Sequence, residues 1–332
     1  MTNSKKLKWG ILSTANIAKG KLIPAIHASN SSMVYGVASR NLAQAEKFAQ
    51  ETNIPNAFGS YQALLDDPSI DIIYNPLPNH LHVPWTIKAI EAGKHVLCEK
   101  PIGLDVAEVE QLIAVADKHP QLKIMEAFMY RFHPQWTLAK QLIEAGEIGT
   151  VHTIDAAFTF HNVDPENVRN MPNIGGGGMM DIGCYCISAT RFLLGKEPKK
   201  VMGSLVMDTN FGVDKHANAI LDFGDVKTSF FCSTQSESSQ RVYIVGETGS
   251  LTIEYPFYQP DDCQAELTVR HDQVKTVHKV ENCDQYVFQV DALANAVNNK
   301  LATPTPLTDA LANMKVIDGI FASDKKQNWV VL

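Results

Sequence analysis

The run Gly93-Lys94-His95-Val96-Leu97-Cys98-Glu99-Lys100-Pro101 decides the fold of this chain. Its short stretch 95–98 follows a glycine and is typical of a buried strand in a parallel sheet. A Glu-Lys-Pro at the carboxyl end of such a strand places an ammonium group at the edge where open α/β sheets bind their ligands. Lys100 is therefore the first candidate for a functional side chain. The alternative is an exposed lysine before a turn-forming proline.

The residues on either side of this run alternate between strand and helix patterns over the first 125 positions. Strand patterns lie at 7–13, 33–39, 70–74, 95–98 and 123–126, and helix patterns lie at 17–28, 41–50, 60–65, 83–92 and 105–118. Asn16 and Asn41 are predicted N-caps, and Gly93 suits the left-handed position that follows a helix. Such alternation builds a doubly wound parallel sheet, which we predict as an α/β domain over 1–125.

After Pro134 the pattern changes to one helix followed mainly by strands. A helix at 135–145 and a strand at 151–160 lead into a polar loop at 162–172, four glycines at 175–178 and a helix at 179–194. Further strand patterns lie at 200–209, 215–223, 226–236, 241–245, 250–255, 265–271 and 275–280, and helix patterns at 285–298 and 308–323. Short links such as Gly224-Asp225 favour hairpins. We predict a C-terminal α+β domain over 126–332 with a large, mainly antiparallel open sheet.

Composition limits the class of protein. The chain has 332 residues, 45% of them hydrophobic and 20% charged, as expected of a two-domain globular enzyme. Its net charge of −7 argues against a nucleic-acid or anionic-membrane binder, and no run approaches the roughly 20 apolar residues that span a bilayer. No apolar segment of signal-peptide length follows the polar N-terminus, and the six cysteines form no Cys-x-x-Cys pair. We predict a cytoplasmic protein without membrane or nucleic-acid partners.

The turn after the first strand is where a dinucleotide-binding fingerprint, G-x-G-x-x-G, is expected. This chain has Ser13-Thr14-Ala15-Asn16-Ile17-Ala18, with small residues at all three glycine positions. Small side chains still let the backbone approach a pyrophosphate, and a helix N-terminus offers N–H groups and the positive end of its dipole. The segment fits a Rossmann cofactor site or an ordinary βα turn.

The end of the second strand indicates which cofactor is preferred. NAD-selective sites usually place a carboxylate there, whereas NADP needs a cation for its 2′-phosphate. This chain has Ser39-Arg40 and no carboxylate, and a guanidinium is suited to binding phosphate. The alternative is that Arg40 is a solvated residue at the start of a helix. We predict NADP as the cofactor, with NAD possible.

A rigid loop follows the strand at 70–74. It reads Asn75-Pro76-Leu77-Pro78-Asn79-His80-Leu81-His82, and its two prolines prevent a helix. Two histidines without further ligands at suitable spacing do not make a metal site, and we assign none. We expect this loop to cap or line a nicotinamide pocket.

Together these motifs resemble the Gfo/Idh/MocA family of NAD(P)-dependent oxidoreductases. The matching segments are 10–18, Pro78-Asn79-His80-Leu81-His82, Glu99-Lys100-Pro101, Glu126-Ala127-Phe128-Met129-Tyr130-Arg131-Phe132-His133-Pro134 and Gly176-Gly177-Gly178-Met179-Met180-Asp181-Ile182-Gly183-Cys184-Tyr185. They span essentially the whole chain in order. The resemblance implies an N-terminal Rossmann domain and a C-terminal α+β domain whose open sheet often supports dimerisation.

Within that family the chain looks like the branch of dihydrodiol dehydrogenases, NADP-dependent xylose dehydrogenases and glucose–fructose oxidoreductase. Many other members carry histidine where this chain has Tyr185. The resemblance implies that Tyr185 is the acid/base, that Lys100 tunes it and that Asp181 supports the site. A free tyrosine has a pKa near 10, and a nearby ammonium favours the phenolate. The alternative is that Tyr185 packs in the core and Asp181 is a carboxylate favoured by the helix dipole.

The predicted site is completed by a cofactor-binding set drawn from these motifs and from the polar loop at 162–172. Its members are Ser13, Thr14, Ala15, Asn16, Ile17, Ser39, Arg40, Pro78, Asn79, His82, Glu99, Lys100 and Arg169.

The leading functional hypothesis is a dehydrogenase or reductase that transfers a hydride between NADP(H) and a sugar, polyol or cyclic diol. A reductase of a keto-sugar such as an anhydrofructose is an alternative within the same class. A non-catalytic NAD(P)-binding sensor is the alternative of another class, favoured by the missing glycines and opposed by the retention of Lys100, Asp181 and Tyr185. We also predict a homodimer, because the strand pattern near 226–232 carries apolar and small residues on both faces.

Overall fold

The protein is described here from a computed structural model, over residues 6–260 and 263–332. These residues form two compact units. One holds the described residues up to Met129 together with Asp284–Leu311, and the other holds the described residues of Tyr130–Cys283 together with Ala312–Leu332. The sequence predicted a single boundary at 125/126, whereas in the structure residues 284–311 belong to the first unit.

A six-stranded sheet, parallel throughout, organises the first unit. Its strands are β1 (Leu7–Leu12), β2 (Ser32–Ala38), β3 (Asn56–Phe58), β4 (Ile72–Asn75), β5 (His95–Cys98) and β6 (Ile124–Glu126). Their spatial order is β3-β2-β1-β4-β5-β6, and each neighbouring pair is parallel. The order reverses beside β1, which is where dinucleotides bind in sheets of this topology. The predicted doubly wound parallel sheet is confirmed.

Helices connect these strands and add a distant segment. They are α1 (Ile23–Ala28), α2 (Leu42–Thr52), α3 (Tyr61–Leu65), α4 (His82–Glu91) and α5 (Val106–Ala116), with α8 (Gln285–Asn298) joining them. Asn41 caps α2 by accepting a hydrogen bond from the amide of Gln44, as predicted. Asn16 caps nothing, because the first helix is already formed at that residue and opens with a π-helical turn, Ala18–Leu22. Gly93 takes the predicted left-handed conformation.

The docking of α8 on the first unit has a clear polar cause. Asp291, on α8, accepts hydrogen bonds from the hydroxyls of Ser29 and Ser31 at 2.6 and 2.8 Å. Both serines lie in the link between α1 and β2, far from α8 in the sequence. The pattern of α8 predicted a helix with its bounds but gave no indication of which unit it would join.

A nine-stranded mixed sheet organises the second unit. Its strands are β7 (Val151–His161), β8 (Lys200–Met207), β9 (Asp214–Asp222), β10 (Lys227–Ser233), β11 (Gln235–Gly246), β12 (Gly249–Ile253), β13 (Ala265–His271), β14 (Val274–Val280) and β15 (Val330–Val331). The order is β14-β13-β12-β11-β7-β10-β9-β8-β15, with β7 and β10 parallel and the other pairs antiparallel. The predicted mainly antiparallel open sheet is confirmed.

Three helices belong to the second unit in whole or in large part. They are α6 (Pro134–Glu144), α7 (Cys184–Leu194) and α9 (Leu307–Lys326). The helix predicted over 179–194 begins with a π-helical turn, Met179–Gly183, before α7 continues it, and Gly195 ends it in the left-handed conformation. Among the described residues, no helix is long and apolar enough to cross a membrane.

Candidate active site

Lys100 lies at the carboxyl end of β5, half-buried, as the sequence predicted. The residue before it is tied to the neighbouring strand, because the hydroxyl of Tyr74, on β4, donates a 2.6 Å hydrogen bond to Oε1 of Glu99. The amide of Glu99 also donates to the carbonyl of Asn75 at 3.0 Å. Tyr74 is fully buried, so this bond is shielded from water.

His82 holds the residue after Lys100. It is 1% exposed, with Nδ1 and Nε2 each 2.7 Å from a carbonyl oxygen, of Pro101 and Leu77 respectively. Its pKa is lowered to about 4, chiefly by burial and also by the ammonium of Lys100, while the two carbonyls act in the opposite direction, so near neutral pH the ring is neutral and donates to one of the two carbonyls. The sequence assigned His82 to the cofactor, but its side chain is occupied by the loop on one side and the Lys100 segment on the other.

A third buried side chain completes this arrangement. Oε1 of Glu126, at the end of β6, accepts a 2.8 Å hydrogen bond from the amide of Ile102. Tyr74, His82 and Glu126 thus reach the segment 99–102 from three neighbouring elements, and we call these three residues the Lys100 clamp. All three are buried. In the sequence, Glu126 stands out only as part of a motif, and no motif marks Tyr74.

The turn after β1 has a backbone conformation that favours glycine, although it contains no glycine. Ser13 has φ +74°, the left-handed conformation that favours glycine. Its amide donates to the carbonyl of Ala38 at 2.9 Å, and its buried Oγ has no hydrogen-bond partner. Ala15 accepts a hydrogen bond from the amide of Lys19, so the helix starts directly after this turn.

The two residues after β2 differ in accessibility. The hydroxyl of Ser39 is used within the protein, donating to Oε1 of Gln44 at 3.2 Å and accepting from the amide of Asn41 at 3.3 Å. Arg40 is exposed, and its charge lies near the hydroxyl of Tyr61. Because β1 and β2 are neighbours in a parallel sheet, Arg40 and the Ser13 turn share one sheet edge.

The rigid loop after β4 contains one turn of 3₁₀ helix, Asn79–Leu81. Pro78 and Asn79 are half-buried, and the carbonyl of Pro78 accepts a hydrogen bond from the amide of Leu81 at 2.8 Å. Nδ1 of His80 is buried without a hydrogen-bond partner. Among the described residues, no group of three or more His, Cys, Asp and Glu side chains could hold a metal ion.

In the second unit, Asp181 forms an ion pair with Arg169. Nε of Arg169 lies 2.7 Å from Oδ2 of Asp181, and the carboxylate is largely shielded from solvent. The negative charge of Asp181 raises the pKa of Arg169, which is therefore charged at any physiological pH. Arg169 also contacts the ring of Phe160, with its guanidinium carbon 5.8 Å from the ring centroid.

Tyr185 follows on α7, only 1% exposed and surrounded by aromatic rings. Its ring centroid lies 5.3 Å from that of Phe257, 5.6 Å from that of Phe158 and 5.7 Å from that of Tyr130. Arg169 interacts electrostatically with its hydroxyl. Arg169, Asp181 and Tyr185 therefore form one cluster, and its aromatic neighbours Phe158 and Phe257 belong to none of the sequence motifs.

The predicted residues therefore fall into two groups. In the first unit, the turn at 13–17, Ser39 with Arg40, the loop at 78–82 and Glu99 with Lys100 follow the carboxyl ends of the parallel strands. In the second unit, Arg169 pairs with Asp181 and joins Tyr185, although the sequence had placed Arg169 in the cofactor-binding set. The sequence of the polar loop at 162–172 does not indicate that Arg169 pairs with Asp181.

Comparison with known protein families assigns both parts of the chain. Residues 7–128 match the model of an oxidoreductase family with an NAD-binding Rossmann fold, and residues 136–252 match the GFO/IDH/MocA C-terminal domain. The chain belongs to the GFO/IDH/MocA family of oxidoreductases. The resemblance drawn from the sequence motifs is confirmed.

Relatives within this family act on sugars and diols. D-xylose 1-dehydrogenase (NADP(+)) 2 of Haloferax volcanii is 36% identical over 96% of this chain and 97% of its own length. Mouse trans-1,2-dihydrobenzene-1,2-diol dehydrogenase is 32% identical, covering 75% of this chain and 74% of its own.

A solved family member is similar in structure as well. A 3-ketoreductase from Actinomadura kijaniata, in complex with NADP and TDP-benzene, has a TM-score of 0.91 and 28% identity, over 96% of this chain and 98% of that one. The same enzyme has been solved as a tyrosine-to-phenylalanine variant and as a lysine-to-alanine variant.

Proposed function

We propose that this oxidoreductase transfers a hydride between NADP(H) and a CH–OH group of an uncharged sugar, polyol or cyclic diol. The observation that carries the proposal is the cluster of Arg169, Asp181 and Tyr185. The guanidinium of Arg169 is already paired with a carboxylate at 2.7 Å and aromatic rings surround Tyr185, which suits a neutral polyhydroxylated substrate better than an acid or a phosphate. The named activities of the relatives point to the same substrate class.

The residues after β1 and β2 fit a dinucleotide. Ser13 holds the left-handed conformation that lets a backbone turn approach a pyrophosphate, and its buried, unpartnered Oγ is available to a ligand oxygen. Arg40 is exposed at the end of β2 with no carboxylate beside it in the sequence, which favours NADP over NAD. The residues that would hold the cofactor are those of the turn at 13–17, Arg40 and the loop at 78–79.

Tyr185 is the proposed acid/base. The nicotinamide, when bound, accepts or supplies the hydride, which leaves the hydroxyl proton of the substrate to be moved by the protein. The phenol of Tyr185 accepts that proton in oxidation and returns it in reduction. Its buried ring is fixed by three aromatic neighbours, so little orientation remains to be lost when the substrate binds.

Lys100 is the proposed cation that favours the phenolate and orients the substrate oxygen. The Lys100 clamp supports this role, because its three buried side chains make hydrogen bonds that hold the residues before and after the lysine. Asp181 balances the charge of Arg169 and holds its guanidinium in place. Lysine and tyrosine are also the two residue types replaced in the solved variants of the Actinomadura enzyme.

Reduction of a keto-sugar is the second candidate, favoured by the structural similarity to the 3-ketoreductase. It uses the same residues in the opposite direction. The test is NADPH absorbance with a panel of aldoses, polyols and cyclic diols plus NADP⁺, and with keto-sugars plus NADPH. Turnover in either direction supports the proposal, whereas tight NADP binding without turnover on the whole panel identifies a sensor.

We further propose a homodimer formed through the open face of the nine-stranded sheet. A row of aligned residues crosses that face from β8 to β14, in the order Met202, Ile220, Ser229, Asp155, Tyr243, Thr252, Thr268 and Val277. Met202, Ile220 and Val277 are each more than a third exposed, and a second copy would cover them.

The six cysteines are all free thiols, which suits the reducing cytoplasm we propose as the location.

A further inference from the structure

Asp214 is a buried carboxylate that the proposed chemistry does not use. It lies at the start of β9 and is 3% exposed. Its Oδ2 accepts a hydrogen bond from the amide of Met179 at 2.6 Å, and the amide of Gly178 donates to the carboxylate as well. These are the first amides of the helical segment that carries Asp181 and Tyr185. Amides at a helix start have no hydrogen-bond acceptor within the helix, so Asp214 accepts hydrogen bonds from N–H groups that would otherwise be unpaired.

The glycines before this segment leave room for the side chain of Asp214. Gly177 has φ +111°, and a Cβ built there would lie 2.1 Å from Oδ1 of Asp214. No other residue type fits so close to the carboxylate. This explains why the run has glycine at position 177, because a side chain there would displace Asp214 from the helix start.

The same glycines fix the loop that carries Arg169. The amide of Gly177 donates to the carbonyl of Arg169 at 2.8 Å, and a Cβ at Gly176 would lie 2.6 Å from that carbonyl oxygen. The carbonyl of Gly177 in turn accepts from the amide of Asp181 at 3.1 Å. One short backbone segment thus connects Asp214, the Arg169 loop and the turn of Asp181.

We propose that Asp214 is a positioning residue for the reaction, which sets Asp181, Arg169 and Tyr185 in their working arrangement by anchoring the amides of Gly178 and Met179. The inference rests on the proposed function, because it assigns a role to Asp214 in the chemistry of Tyr185. A displacement of about 1 Å at reacting groups can cost on the order of 100-fold in rate.

The surroundings of Asp214 bring the pKa of its carboxyl group close to neutral pH, so its charge depends on the pH. Burial raises its pKa to about 7, and the amides of Met179, Gly178 and Asp214 itself act in the opposite direction. The titratable side chain that interacts with it from the neighbouring strand β10 is the thiol of Cys232, whose pKa burial raises well above its usual value. As the pH rises through about 7, the carboxyl group of Asp214 loses its proton, and the amides at the helix start then donate to a negatively charged acceptor.

The test compares Asp214→Ala and Asp214→Asn with Asp222→Asn. Asp222 is the matched control because it lies at the other end of β9, is 7% exposed and accepts a backbone hydrogen bond from Gly224 at 2.8 Å. We expect Asp214→Ala to lower kcat by roughly 10- to 100-fold, with the NADPH dissociation constant unchanged. Asp214→Asn keeps an oxygen for Met179 and should stay within about fivefold of the parent. Asp222→Asn should match the parent.

Two further measurements make the result decisive if Asp214→Ala does not fold. The kcat of the parent should rise as the pH passes about 7, and that step should be missing in Asp214→Asn, which carries no charge at any pH. Hydrogen–deuterium exchange in the peptide covering 176–186 should increase in either Asp214 variant and not in Asp222→Asn.

The failures of the two proposals are distinguishable. If the parent turns over no substrate of the panel, the proposed function fails, and the exchange data alone decide whether Asp214 holds the segment. If the parent is active and Asp214→Ala retains parental kcat, the positioning role is overturned. An equal loss of kcat and of NADPH binding would also overturn it, because that result indicates general unfolding.

Discussion

Nε of Arg169 lies 2.7 Å from Oδ2 of Asp181, one helical turn before Tyr185. The pair neutralises the guanidinium of Arg169, which interacts electrostatically with the hydroxyl of Tyr185. A guanidinium committed to a neighbouring carboxylate at this distance is poorly placed to bind cofactor phosphate as well. We therefore propose that Arg169 acts on the substrate side of the chemistry, and we expect removal of Asp181 to change the charge around Tyr185.

Asp181→Asn tests that assignment. The variant keeps the size and one acceptor oxygen but leaves the charge of Arg169 uncompensated, so we expect kcat to fall by roughly 10- to 100-fold while the NADPH dissociation constant is unchanged. Asp225→Asn is the control, because it breaks an exposed ion pair with Lys196 of similar length, 2.8 Å, in the same unit. Equal activity of the two variants would contradict a role for the Arg169 pair.

Tyr185→Phe tests the acid/base. The variant keeps the aromatic packing and removes only the hydroxyl, so kcat should fall by roughly 10²- to 10⁴-fold while the melting temperature stays close to that of the parent. Tyr130→Phe is the matched control, since it removes a buried hydroxyl that lies 2.6 Å from Oγ of Ser188 in the same aromatic group. Near-parental turnover of Tyr185→Phe between pH 6 and 10 would dispose of the assignment.

Much of the fold was predictable because its signals are local. The strand at 95–98 and the helix at 285–298 were predicted with their bounds, since each is a continuous pattern ended by punctuating residues. The strand Asn56–Phe58 was missed because three residues give no periodicity, and its place comes from pairing with β2. The two π-helical turns were missed because their hydrogen bonds leave no composition signal.

The candidate site was predictable only where a motif marks a sheet edge. Lys100 follows a strand that the sequence reveals, so its place was clear. Asp214 directly precedes the strand predicted at 215–223, and nothing local shows that it accepts a hydrogen bond from the amide of Met179, 35 positions earlier. His82 was predicted to bind the cofactor from its residue type and its place in a motif, and nothing in the sequence shows that its ring lies buried between two carbonyl oxygens.

Arg40→Ala tests the cofactor preference. Loss of a charge-assisted contact to the 2′-phosphate should lower kcat/KM with NADP by roughly ten- to a hundredfold, because such contacts contribute on the order of 1.5–3 kcal/mol. Use of NAD should change little, since NAD lacks that phosphate. The measurement is kcat/KM for both cofactors in the parent and the variant. A parent that uses both equally, or a variant without loss for NADP, would refute the assignment.

Ile220→Asp tests the proposed dimer. Ile220 is 42% exposed and aligned with Met202 on the open sheet face, so a carboxylate there should oppose the close apolar contact of two copies. We expect light scattering to show a dimer for the parent at micromolar concentration and a shift towards monomer for the variant. Val274→Asp, on the outermost strand β14 and 66% exposed, is the control and should remain dimeric. A strictly monomeric parent would rule the dimer out.

The last prediction concerns acid stability and follows from His82. Burial lowers its pKa from 6.5 to about 4, so the folded state resists a proton that the unfolded chain accepts. The stabilisation is complete above pH 6.5 and is lost as the pH falls towards 4, amounting to about 3 kcal/mol of unfolding free energy. Denaturant titrations at pH 7.5, 5.5 and 4.5 should show a smaller acid loss for His82→Gln than for the parent. His27→Gln, at an exposed histidine of the same unit, should follow the parent curve. Identical pH dependence in all three proteins would show that His82 is not held neutral by burial.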